Sequence, residues 1–115
     1  MATNKFGVLL DDYGYAPSIL PGHSETCCWR CGRNGSCDKL DRHEAIGGAY
    51  RKKSKELGLW VYLCHCRCHE ELPGAVHKNG DEMRRLRRFA QIEAMRHYGW
   101  SETEFRQRFG KSYLE

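Results

Sequence analysis

The sequence lacks any long apolar run. Its longest, Gly58 to Cys64, falls far short of the roughly 20 residues a membrane helix needs, so no membrane role is expected. It shows no export signal either. Lys5 and a short Phe6–Leu10 run give way to Asp11 and Asp12 without a small-residue cleavage site. No internal repeat or low-complexity tract is present, which excludes a repeat array. With 40% hydrophobic and 30% charged residues, the chain is not a disordered polyelectrolyte. What is left at 115 residues is one small, soluble domain, expected in the cytoplasm. Its net charge of +4 leans mildly toward polyanions.

Cysteine and histidine are what the chain has in excess. Seven Cys and six His occur, and an odd cysteine count without export fits a disulfide framework poorly. In a reducing compartment, clustered Cys and His more often bind metal. All seven Cys and four of the six His fall in residues 27–80. Residues 1–26 read as a short strand and an arm with Pro17 and Pro21, of unknown role. Residues 81–115 hold no Cys and read as helix.

Cys28-x-x-Cys31-Gly32 has the form of a knuckle, in which a tight turn aims two sulfurs at one ion. Cys64-x-x-x-Cys68-His69 supplies a second pair. The four thiolates make a closed structural Zn²⁺ site. Cys27 is an alternative to Cys28, and Cys66 an alternative to Cys64 or Cys68. Cys37 has no partner at motif spacing. Thirty-two residues separate Cys31 from Cys64, more than the roughly 12–20 of a plain zinc ribbon or finger, so something is inserted.

A zinc ion closed by four thiolates cannot activate water, so any catalysis needs a second centre. His43, His69 and His77 flank the cysteine motifs and could converge on a divalent ion with open water positions.

Local patterns place these motifs. Leu59–Leu63 is a strand candidate and Leu40–Ala45 a second extended piece. Gly47-Gly48 breaks the chain, and the basic stretch Ala49–Leu57 is a short helix or a long loop. A helix opens at Asn79-Gly80-Asp81, carries Met83, Leu86, Ala90, Ile92 and Met95 at roughly helical spacing, and stops at Gly99. Ser101-x-x-Glu104 caps a second helix, which ends at Gly110. Arg84, Arg85, Arg87 and Arg88 are either a solvated cationic face or a phosphate-contacting one.

The run Cys28-x-x-Cys31-Gly32, Asp41-x-His43-Glu44-x-Ile46-Gly47-Gly48, Val61-Tyr62-Leu63-Cys64, Cys68-His69 and Val76-His77-x-Asn79 resembles the HNH, or His-Me finger, endonucleases. More narrowly, it is similar to small HNH-like proteins of phages and prophages, over residues 27–115. The resemblance implies an α+β fold: a ββα-metal, treble-clef-like core with a four-cysteine zinc knuckle, here followed by a C-terminal helical pair. It also implies DNA as partner and a bacterial host cell as location. His43 would activate water and His69 and His77 would hold Mg²⁺ or Mn²⁺. Where many members have two adjacent histidines, this chain has His43-Glu44. His43 is then the base with Glu44 idle, or a ligand with Glu44 as a weaker base or no base at all. The family's base-orienting Asn has only Ser54 and Asn79 as candidates.

Two functions are weighed. The first is metal-dependent hydrolysis of DNA phosphodiesters, with Arg51, Lys52, Lys53 and Lys55 along the phosphate backbone. The second is an inactive HNH-like zinc module that binds nucleic acid or a host or defence protein through aromatics such as Tyr13 and Tyr15. A thiol redox role for Cys28-x-x-Cys31 lacks the βαβ context such a motif needs.

Overall fold

A computed structural model describes residues 2–20, 27–70 and 75–114. Part of the N-terminal arm (21–26, including Pro21) and the stretch Leu72-Pro73-Gly74 lie outside the described residues.

Two strands form the sheet. β1 (Leu40–Glu44) pairs antiparallel with β2 (Trp60–Cys64), setting Leu40 opposite Cys64 and Glu44 opposite Trp60. Both strands fall where the β-branched and apolar runs place them. The basic stretch between them settles as helix: a 3₁₀ turn (Gly48–Tyr50) leads into α1 (Arg51–Glu56). Buried Ser54 closes this crossover, accepting from the Ile46 N–H at 3.3 Å and donating to the Leu59 carbonyl at 2.6 Å. Gly58 follows at φ +76°. A Cβ there would meet the Pro17 carbonyl at 2.4 Å, so only glycine lets the arm run this close.

β2 runs directly into one wide π-helical turn, His65–Glu70. The Asp38 carboxylate accepts from the Cys66 and Arg67 N–H groups at 3.1 and 3.0 Å and fixes the start of that turn.

The C-terminal helices are as the caps foretell. α2 (Gly80–Tyr98) starts at Asn79, whose Oδ1 accepts from the Asp81 and Glu82 N–H groups, and ends at Gly99. α3 (Glu102–Phe109) starts with the Ser101–Glu104 capping box. Leu86, Ala90 and Ala94 are buried at i, i+4, i+8 and pack with Val61, Leu63, Phe105 and Phe109 in the core. Ile92 corrects the expected apolar stripe: it is 37% exposed. Two residues beyond Ala90, it sits about 200° round the helix from the buried face. Gln91 is buried instead, tied to Ser112 and to the Tyr113 N–H.

The N-terminal run Phe6–Leu10 is not a strand. Asn4 Oδ1 accepts from the Phe6 and Val8 N–H groups, folding the run back so that only a single bridge, Thr3 to Leu9, forms. A side chain that satisfies local N–H groups competes with a ladder. The arm instead packs on the core. The Ala16 carbonyl accepts from the Trp60 indole at 2.7 Å, and Asn4 Nδ2 donates to the Glu56 carbonyl at 2.7 Å.

Candidate metal centres

The knuckle is held against the edge of β2. The Trp29 N–H donates to the Tyr62 carbonyl at 2.8 Å, and Cys28 bridges parallel to Tyr62. Inside the loop, the Cys28 N–H donates to the Arg33 carbonyl, and the N–H of Gly32, at φ +80°, donates back to the Cys28 carbonyl. This faces Cys28 and Cys31 toward Cys64 at the end of β2 and Cys68 in the wide turn. The four sulfurs lie within 4.8 Å of one another, with Cys31 and Cys64 at 3.5 Å. A tetrahedral zinc with bonds of about 2.3 Å would set its sulfurs about 3.8 Å apart, so the group could hold such an ion. Burial pushes the Cys64 thiol up strongly and Cys68 up to about 11. For Cys31, burial acts upward, but hydrogen bonds from Arg33, Cys64 and Cys28 together outweigh it and bring the thiol down to about 6. A cation among them would make four neighbouring thiolates tolerable. Cys27, Cys37 and Cys66 lie outside this group.

The three histidines also converge. His43 projects from β1 and His69 from the wide turn. His77 is placed by backbone bonds to that turn: Val76 N–H to the Cys68 carbonyl at 2.8 Å, and His77 N–H to the His69 carbonyl at 3.1 Å. His69 Nε2 is 3.1 Å from His43 Nδ1 and 3.1 Å from His77 Nε2. Asp41 Oδ2 sits 2.9 Å from His69 Nδ1 and 2.6 Å from His65 Nδ1. Burial acts to raise the Asp41 carboxyl, but the bonds to His69 and His65 hold it below its usual range, so it is ionised and accepts. His69 therefore carries its proton on Nδ1, and its single Nε2 lone pair faces two other ring nitrogens. One lone pair cannot serve both as hydrogen bonds. A cation at the shared point would satisfy all three, which is the fit expected of a metal site with an orienting carboxylate. Burial, then the neighbouring His69 and His77, push His43 down to about 3, and burial lowers His77 as well. Neutral imidazoles with free lone pairs are the form that binds metal.

The rings open onto a cavity of about 350 Å³, also lined by Gly47, Gly48, Arg51 and Glu70. Other expected site residues have different tasks. Glu44 engages Arg51 Nε with one carboxylate oxygen (2.5 Å) and accepts the Tyr15 hydroxyl on the other (3.0 Å). Ser54 closes the crossover and Asn79 caps α2, so neither orients a base. Of the basic residues on α1, Arg51 lines the cavity. Lys53 donates to the Arg108 carbonyl, Lys55 to the Tyr13 carbonyl, and Lys52 lies 3.9 Å from Glu56.

Asp41 and His65 join the site without having been expected from the sequence. Asp41 and His43 stand two apart on one strand, which puts both on the same face, and that spacing is a legible signal. His65 carries no motif of its own.

No family model, curated protein or solved structure matches the chain. Among the described residues, no helix is long and apolar enough to cross a membrane.

Proposed function

We propose that the protein is a metal-dependent phosphodiester hydrolase acting on nucleic acid, with one Zn²⁺ as a structural staple in the four-cysteine group and a second divalent ion at His43, His69 and His77. The observation that carries the reading is the approach of two ring nitrogens to within 3.1 Å of His69 Nε2, beside an open cavity. The three imidazoles would hold a divalent ion, which would supply Lewis acidity toward water and a phosphate oxygen and offset charge built up in the transition state. Asp41 fixes the tautomer and ring angle of His69. Arg51 lines the cavity with its side chain 70% exposed and its bond to Glu44 made through Nε, which leaves its terminal nitrogens available to a phosphate. His43 differs in role from the family expectation. Its Nδ1 faces the shared point, which supports assigning it to the ion rather than to water. Three imidazole donors suit a first-row transition ion better than Mg²⁺, a hard cation that prefers oxygen.

The engagement of both Glu44 oxygens favours a second reading, an HNH-like module that binds without cleaving. Metal content and plasmid nicking separate the two. The hydrolase reading expects two ions per chain, one in His69→Ala, and nicking that falls at least about 100-fold in that variant, since the removed ligand supports the charge-stabilising ion. A wild-type protein that binds two ions yet leaves supercoiled plasmid intact with Mn²⁺, Zn²⁺, Co²⁺ and Mg²⁺ rejects it.

A further inference from the structure

A second cavity, of about 540 Å³, lies between α2 and the C-terminal tail. Among the described residues five cations line it, with Asp81 the only acid. Two of the five are already used: Arg84 pairs with Asp81, and Arg85 pairs with Glu82 while stacking on Trp29. Arg87, Arg88 and Lys111 have no carboxylate within ion-pair distance among the described residues. Arg87 Nε is moreover buried without a hydrogen-bond partner. Such a group lacks the compensation that burial of a polar atom ordinarily requires.

The wall opposite α2 is built rather than incidental. Tyr113 lies under both Arg87 and Lys111, at 5.6 and 5.1 Å from its ring centre. Its N–H donates to Gln91 Oε1 at 2.6 Å, and Ser112 is held by Gln91 and by Glu102. A fully buried glutamine thus uses both ends of its amide to fix the tail beside the cations. Arg87 also belongs to the other site electrostatically, because its charge contributes to holding His43 neutral.

We propose that this cavity is a phosphate-binding site, in which Arg87, Arg88 and Lys111 grip the phosphodiester backbone of a nucleic-acid strand. Three cations with no carboxylate partner among the described residues, set around an aromatic floor, offer positive charge to a polyanion and carry no device for reading bases. The strand's identity as a substrate rests on the hydrolase reading above; its binding does not.

The test is the salt dependence of binding to a fluorescently labelled duplex, measured by anisotropy on the protein as isolated. Arg88→Gln with Lys111→Gln changes two side chains at the cavity's rim and spares Arg87 with its buried Nε. This pair is expected to weaken binding roughly tenfold at low salt and to reduce the slope of log affinity against log salt by about two. Arg88→Lys keeps the slope. Adding Arg87→Gln lowers it by about one more. An unchanged slope and affinity in the double variant overturn the proposal. So does a double variant that loses binding to phosphatidylglycerol vesicles while holding duplex as tightly as wild type. The two ideas fail separately. If wild type never cleaves but the slope still falls in the double variant, the cavity stands and the hydrolase reading fails. If wild type cleaves and the slope does not fall, the reverse holds.

Discussion

Asp41 Oδ2 lies 2.9 Å from Nδ1 of His69, across 28 positions of sequence, and so decides which nitrogen of that ring faces the three-histidine point. Asp41→Asn keeps the shape but removes the obligate acceptor. Outer-shell changes of this kind typically cost about 10–100-fold in metal affinity. The expected result is a loss of that size at the histidine site, with the ion in the four-cysteine group retained. Competition with a graded chelator, read by metal analysis, checks it. Equal loss at both sites would contradict the assignment.

The four-cysteine group is expected to support the fold. Cys64→Ser removes a buried ligand, and folding energy supplied by structural zinc, on the order of 10 kcal/mol in small zinc peptides, goes with it. The variant should melt far below wild type, and excess zinc should not restore it. Cys37→Ser changes an exposed thiol outside the group and should leave both ion content and melting unaltered.

The two faces of α2 should respond unequally to truncation. Leu86→Ala opens a hole in the core and should cost about 2–5 kcal/mol. Ile92→Ala changes a partly exposed position and should stay within about 0.5–1 kcal/mol. Chemical denaturation of the two variants compares them directly.

Tyr15 gives a pH prediction. Burial first, then the charge of Glu44 and the bond to it, raise the Tyr15 hydroxyl to about 12. Because the folded value lies above the unfolded one of about 10, the folded state keeps a proton that the unfolded state gives up. This part of the stability is complete below a pH of about 10 and is lost as pH rises toward about 12. Tyr15→Phe should flatten the alkaline limb of stability against pH. It should also delete a late-ionising tyrosine from an ultraviolet titration.

The parts of this chain that can be read in advance are those encoded within a few residues. The Ser101–Glu104 capping box, the Asn79 cap and the two strands each declare themselves locally, and so do the cysteine pairs. The grouping of Asp41 with His65 and His69 depends on β2 pairing with β1 and then turning, which brings together residues 24 and 28 positions apart. The Phe6–Leu10 run misleads because apolar content hides what one neighbouring amide can do: Asn4 captures the N–H groups a ladder would use. The α1 cations resemble a nucleic-acid strip in sequence, but two of them serve as internal ties, Lys53 to the end of α3 and Lys55 to the arm.

Cys68 and His69 are consecutive, and backbone bonds from Val76 and His77 clamp both. Stripping the sulfur cluster would therefore slacken the very turn that aims an imidazole at the neighbouring point. The dependence would run one way: an ion at the sulfurs would support one at the imidazoles, but not the reverse. A chelator that empties the staple first would also disperse the three imidazoles, whereas mild treatment that empties only the imidazoles should leave a folded, reloadable protein.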